Sequence, residues 1–264
     1  MSAWLARARA AAVAPPARPR RSLFLDPGRG PFERIGSIEA AIAERMIESG
    51  LALRATDSGY LVARPADTTL AAIASWLHRE RLVASWRDEP LAVVNEHGIA
   101  VARIERSVVR VLGLATEAVH LVGVVADGAV WVQQRAFDKA TDPGRWDTLM
   151  GGQVAAGESI ADTLARETME EAGLALVDLH GLERCEPIAM RRPVAEGYMV
   201  ERVEVFRALV PDGVAPANRD GEVARFECLA RAALERRLGA GDFTLEATLI
   251  LGAELERRDE AARR

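Results

Sequence analysis

The chain is short of several residue types, and each shortage excludes something. Only two of its 264 residues are cysteine, Cys185 and Cys228. They form neither a disulfide framework nor a metal-ligand spacing, so they are expected as small, reduced, buried or half-buried apolar residues in a cytoplasmic protein. Histidine is scarce too, at positions 78, 97, 120 and 180. No two stand at ligand spacing, and His120, inside an apolar strand, reads as a core histidine. Of 34 basic residues only Lys139 is lysine. Arginine is spread along the whole chain without a basic patch, and with a net charge of −5 this argues against a nucleic-acid partner. No apolar run approaches the roughly 18 residues of a spanning helix, which argues against a membrane role. Yet the chain is 49% hydrophobic and 28% charged, a composition that can build a core and excludes a disordered chain.

Acids are missing from the first 25 residues, which hold Arg7, Arg9, Arg18, Arg20 and Arg21. The apolar run Ala10 to Ala14 is too short for a secretory signal before Pro15 and Pro16. An arginine-rich transit peptide is compatible with the composition. The simpler reading is a short helix, Trp4 to Val13, and a proline-broken linker, making 1–30 a separate lead-in. In 31–114, Ile38, Ile42, Met46 and Ile47 recur at helical spacing, as do Leu70, Ile73, Ala74 and Leu77. Tyr60 to Val62 reads as a short strand. Leu91 to Val94 and Ile99 to Ile104 flank the turn Asn95 to Gly98 as a hairpin. This stretch is expected as a small α+β domain.

In 115–264 the pattern changes. His120 to Val125 and Ala129 to Gln134 surround Ala126 to Gly128, a tight hairpin signal. A helix is expected from an N-cap at Ser159 to a C-cap at Gly173. A second hairpin joins Leu182 to Met190 with Tyr198 to Leu209, and Glu254 to Arg264 reads as a solvated helix end. The expected fold class is α/β: a sandwich with a mixed sheet and one central helix, preceded by the smaller α+β domain.

The chemistry concentrates on that helix. Gly152 is followed by Glu158 and then by Arg166, Glu167, Glu170, Glu171, Gly173 and Leu174. At 100° per residue, Glu170 lies 60° to one side of Glu167 and Glu171 lies 40° to the other. Three carboxylates on one stripe repel unless a cation joins them, and carboxylate oxygens suit Mg²⁺ or Mn²⁺. Ala161, Leu164, Ala165, Thr168 and Ala172 form a neighbouring stripe that can pack on a sheet. Gly152 lets the backbone pass close to the ion and offer its carbonyl. Arg166 can pair with Glu158 across the loop and orient the metal-binding acids. An acidic run is ordinarily a solvated helix face, but the fixed spacing of glycines, arginine and acids speaks against that here.

This segment, Gly152 to Leu174, resembles the Nudix box, with Thr168 standing where the family usually has an aliphatic residue. The resemblance implies the Nudix α/β/α sandwich and a divalent-metal diphosphohydrolase related to MutT. Further segments, Pro31 to Gly36, Ser85 to Glu89, Ile104 to Arg106, Val119 to Leu121, Asp138 to Lys139 and Pro143 to Asp147, resemble the two-domain branch related to the Nudix part of fungal thiamine pyrophosphokinase. That branch implies a substrate such as thiamine diphosphate or its oxo and oxy derivatives, cleaved to the monophosphate. ADP-ribose, a nucleotide sugar or a dinucleotide is the alternative substrate.

On this reading Gly152, Glu167, Glu170 and Glu171 hold the metal. The general base is one of Glu167, Glu170 and Glu222, the last in a turn leading into a strand. Arg135 and Lys139 precede the metal loop and can meet phosphates, or serve as solvated surface residues. Trp86, with Arg87 beside it, can stack on an aromatic ring, as can Trp131 and Trp146, although core packing is the ordinary role of tryptophan. A ligand-sensing Nudix module would be expected to lose acids that are all present here. Isopentenyl diphosphate isomerase would need a cysteine context that Cys185 and Cys228 do not supply. The expected partner is a small-molecule diphosphate, and a homodimer is compatible with the sequence.

Overall fold

The computed structural model describes residues 2–83 and 85–263. Helix α1 (Ala3–Ala12) leads into β1 (Arg20–Leu25), β2 (Glu33–Glu39), α2 (Ala40–Glu48), β3 (Leu53–Ala55), β4 (Gly59–Val62) and α3 (Ala66–Arg79). The four strands form one sheet in the order β2-β1-β4-β3, with β1 and β4 parallel. Strands β5 (Pro90–Val94) and β6 (Ala100–Glu105) form a separate antiparallel hairpin. Leu23, Ile38, Met46, Leu70, Leu77, Val93 and Leu112 share one buried core.

The second body is built on β7 (Ala115–Val124), β8 (Val130–Arg135), β9 (Trp146–Asp147), β10 (Met150–Gln153), α4 (Ile160–Ala172), β11 (His180–Arg184), β12 (Ile188–Val194), β13 (Gly197–Leu209), β14 (Val223–Leu229), α5 (Arg231–Ala240) and α6 (Leu245–Ala261). Its eight strands form one mixed sheet along the path β11-β13-β7-β8-β14, with β10 on β7, β12 on β13 and β9 on β8. Strands β7 and β13 run parallel, in register from Ala115 and Val200 to Val124 and Leu209. Strand β7 is buried on both faces, and its side chains alternate between two cores. Ala118, Val122 and Val124 join the core shared with α1 and α6, while Val119 and Leu121 join Leu164 and Ala172 of α4. The result is the expected α/β sandwich, helices on both faces of a mixed sheet.

Four local expectations are corrected. The helix expected at Trp4 to Val13 is α1, but the rest of 1–30 is not a linker. Arg20–Leu25 is β1, flanked by β2 and β4 within the first sheet, and α1 lies against α6, with Leu5 and Ala12 in the second core. Ile38 belongs to β2 rather than to a helix, which begins only at Ala40. The long expected strand from 182 to 190 is two. Pro187 lies in the break between β11 and β12, a position where proline's missing N–H removes no ladder bond. Cys185 is half-buried as expected, but Cys228 is exposed. Among the described residues no helix is long and apolar enough to cross a membrane.

Candidate active site

Helix α4 is set at both ends by its own sequence. The Ser159 side chain accepts a 3.1 Å hydrogen bond from the Asp162 N–H, capping the first turn. Gly173 ends the helix at φ 65°, and a β-carbon there would meet the Ala217 carbonyl, so glycine is needed twice over. The packed stripe differs from the expected one. Ala161 and Ala165 are exposed, and Thr163, Leu164, Thr168, Glu171 and Ala172 face the sheet. Thr168 is accommodated because its hydroxyl donates to the Leu164 carbonyl at 2.6 Å.

This roll of the helix grades the three acids by depth. The side chains of Glu171, Glu167 and Glu170 are 1%, 14% and 44% exposed. Glu171 Oε2 accepts from Gln133 Nε2 at 2.8 Å and from the Gly151 N–H at 3.0 Å, and Lys139 Nζ stands 3.7 Å from Oε1. Burial pushes its carboxyl up to about 8, against the pull of Lys139 and those two donors. Burial raises Glu167 as well, opposed by Arg166. The Glu167 carboxyl lies directly over Gly152, where any β-carbon would overlap it.

Arg166 gathers the rest. Its Nε and Nη2 donate to both carboxyl oxygens of Glu158 at 2.8 and 2.9 Å, and its Nη1 donates to Glu167 and Glu170 at 2.9 Å each. The Arg166 hydrogen bonds hold the Glu158 carboxyl down at about 2, and Thr163 Oγ1 adds a donor at 2.8 Å. Glu158 thus fixes Arg166, and Arg166 fixes two of the three acids.

A cavity of about 490 Å³ opens above the helix. Arg135, Lys139, Gly152, Arg166, Glu167, Glu170, Glu222 and Arg87 all line it, so one space gathers residues from 87 to 222. Lys139 bonds the Glu222 carboxylate. Burial pushes that carboxyl up, but the Lys139 bond and charge, with Arg106 and Arg135, outweigh it and keep Glu222 below its ordinary value. Arg135 reaches Asp147 Oδ2 at 3.4 Å and the Thr141 carbonyl at 3.0 Å.

The tryptophans lie elsewhere. Trp86 is absent from the cavity lining and stands 5.4 Å from the His78 ring. Trp146 is buried beneath the Arg237 and Arg225 guanidinium groups. Sequence reading missed Arg106, Arg110, Gln153, Glu201 and Glu246 in the lining. Arg106, Arg110, Glu201 and Glu246 lie far from α4 in sequence, and Gln153, though next to Gly152, carries no letter of the motif. His120 is a satisfied core residue, its Nδ1 2.8 Å from Thr148 Oγ1, and it lines the cavity as well.

The donor set suits a hard divalent cation. It consists of the carboxylate oxygens of Glu167, Glu170 and Glu171, with a buried, unpartnered Gln133 Oε1 beside Glu171. As the side chains lie, Arg166 draws Glu167 and Glu170 to itself. Among the described residues no three His, Cys, Asp or Glu groups are closely enough grouped to hold a metal.

Comparison with known proteins agrees with this geometry. An uncharacterized Nudix hydrolase of Pseudomonas aeruginosa is 37% identical over 95 residues, 35% of this chain and 56% of the relative. An uncharacterized protein of Saccharomyces cerevisiae is 36% identical over 187 residues, 64% of this chain and 54% of that one. The chain therefore spans about half the length of these curated relatives. A crystal structure from Deinococcus radiodurans shares the fold at TM-score 0.51 and 22% identity, covering 64% of this chain and 98% of that one. The NUDIX domain family matches residues 115–247, half of the sequence and the whole of the α4 site, and the chain belongs to that family.

Proposed function

We propose that the protein is a divalent-metal diphosphohydrolase acting on a small-molecule diphosphate joined to an organic group, with thiamine diphosphate and its oxo and oxy forms as first candidates. The observation that carries the reaction class is the Glu167 carboxyl against Gly152, lining with Glu170 a cavity that also presents Lys139 and Arg135, while Glu171 is buried and accepts the Gly151 N–H. The thiamine reading is supported by the segments of 31–147 that resemble the thiamine-related branch. The S. cerevisiae relative covers 64% of the chain, more than 115–264 alone can supply, so that likeness extends into the first 114 residues. The partner is then the small molecule, with no nucleic acid or membrane, and the compartment the cytoplasm.

In the reaction, one P–O bond of the bridge breaks and one forms to the water oxygen, while the water's protons end on the two products. Glu167, Glu170, Glu171 and the Gly152 carbonyl would hold Mg²⁺ or Mn²⁺, which when bound neutralises phosphate charge and acidifies water. Arg166, anchored by Glu158, positions Glu167 and Glu170. Lys139 and Arg135 bring positive charge to the phosphates. Glu222 is kept ionised by Lys139, Arg106 and Arg135 and so can accept a proton, with Glu167 or Glu170 as the alternative base.

The test is phosphate release from a panel of thiamine diphosphate, its oxo and oxy forms, ADP-ribose and nucleoside triphosphates, with and without Mg²⁺. Metal-dependent release favouring the thiamine set is expected. Cleavage of ADP-ribose alone would keep the reaction and discard the substrate. A Glu170→Gln variant is expected to lose kcat by about a hundredfold or more with its fold intact, and full activity would overturn the site.

A further inference from the structure

A side pocket of about 120 Å³ adjoins the main cavity and shares Arg87, Arg106, Arg110 and Gln153 with it. It is the size of a single small anion rather than of a ring system. Three guanidinium groups line it, and the only acid among its lining is Glu196, an exposed residue of the β12–β13 turn. Arg106 pairs with Glu89, whereas the side chains of Arg87 and Arg110 have no hydrogen-bond or acidic partner among the described residues. Ser107 Oγ, buried and unpartnered, is also in the lining, a spare donor beside the three cations.

The arginines are held rather than merely present. Both oxygens of the Glu105 carboxylate accept backbone N–H bonds, from Arg87 at 2.8 Å and from Glu89 and Ser107 at 3.2 Å each. One carboxylate thus pins both stretches that carry the arginines. Asp88, between Arg87 and Glu89, sits at φ 59°, an uncommon left-handed conformation that aspartate tolerates better than most non-glycine residues and that turns the chain between them. The Arg110 carbonyl accepts the Tyr198 N–H at 2.9 Å, which roots Arg110 at the start of β13. The Ala156 N–H bonds the Pro90 carbonyl at 3.1 Å, tying this stretch to the loop that follows Gly152.

We propose that Arg87, Arg106 and Arg110, with the Ser107 hydroxyl, form a subsite for one phosphate group: the terminal phosphate of the diphosphate, which leaves as inorganic phosphate. This rests on the diphosphohydrolase reading and narrows it. A substrate with a free terminal phosphate carries the extra charge that three arginines match. A diphosphate capped at both ends does not. The subsite comes from residues outside the matched family segment, so it gives the first 114 residues a direct part in substrate choice.

The experiment measures binding of inorganic phosphate and of pyrophosphate to the full chain by calorimetry in metal-free buffer containing chelator. Wild type is compared with Arg87→Ala, Arg110→Ala and Arg110→Lys, with the melting temperature of each variant as the folding control. Each alanine variant is expected to bind phosphate at least tenfold more weakly, and Arg110→Lys to recover part of the loss. Where thiamine diphosphate is hydrolysed, Arg110→Ala should raise its KM more than it lowers kcat. Equal binding by wild type and both alanine variants, or no binding by wild type, overturns the subsite. Arginine-dependent binding in a protein that hydrolyses none of the diphosphate panel keeps the subsite and removes the substrate reading, so the two failures are distinguishable.

Discussion

The Glu167 carboxyl occupies the space that a side chain at position 152 would need. Glycine at 152 is thus a steric condition for the acid to lie against β10. Gly152→Ala is expected to displace Glu167 while leaving the hydrogen bonds of β10 to β7 in place. We expect kcat to fall by about a hundredfold or more, with a melting temperature within a few degrees of wild type. Steady-state kinetics beside a thermal melt checks both halves.

Arg166 meets Glu158 with two parallel hydrogen bonds and Glu167 and Glu170 with a third nitrogen. Lysine keeps the charge but cannot supply that fork. Arg166→Lys should therefore lose kcat nearly as Arg166→Ala does. The pair also has a pH signature. The Glu158 carboxyl is held down at about 2 when folded, so its contribution is present above the unfolded value near 4.3 and is lost as pH falls toward 2. With Arg166 36% exposed, solvent screening leaves about 1–2 kcal/mol of it. Denaturant melts at pH 7 and pH 3 should show the Arg166→Ala deficit shrinking at the lower pH.

Glu246, at the start of α6, is a stability switch of the opposite sign. Burial and the neighbouring Glu201 of β13 raise its carboxyl to about 7, with Asp147 of β9 adding to the rise and Arg192 of β12 opposing it from 3.7 Å. A raised acid favours folding in its protonated form, so its contribution is full below about 4.3 and is lost as pH climbs through about 7. Glu246→Gln stays neutral throughout. It should stabilise the protein by up to about 3 kcal/mol at pH 8–9 and by little at pH 5, as read from melts across that range.

Leu5 tests whether α1 is part of the second body. Its side chain is 2% exposed and lies where a β-carbon on Gly252 of α6 would stand. Leu5→Ala should cost about 2–4 kcal/mol, the usual cost of a buried leucine that leaves a cavity. A loss below about 0.5 kcal/mol, measured by denaturant unfolding, would show that α1 is not docked in solution.

Local features of the sequence sufficed wherever one element supplied all the parts. Ser159 and Gly173 bounded α4, the turn residues 126–128 placed the β7–β8 hairpin, and Gly152, Glu158, Arg166 and the three glutamates announced the site, because caps, turns and helical spacing act within a few residues. What they left open depended on surfaces meeting across the chain. The roll of α4 is not legible within the helix: Ala161 and Ala165 look as packable as Thr163 and Glu171 until the sheet decides which side is covered. Residues 20–25 resembled a linker because β1 gains its stability from pairing with β2 and β4, not from its own pattern. Trp86 and Arg87 are neighbours in sequence, yet only Arg87 reaches the cavity. The sequence by itself determined the acidic helix and the family, since their signals are short-range. Only the tertiary structure decided the depth of each acid and the gathering of Arg87, Arg106 and Arg110 over the site, because burial and long-range charge exist only once distant segments have packed.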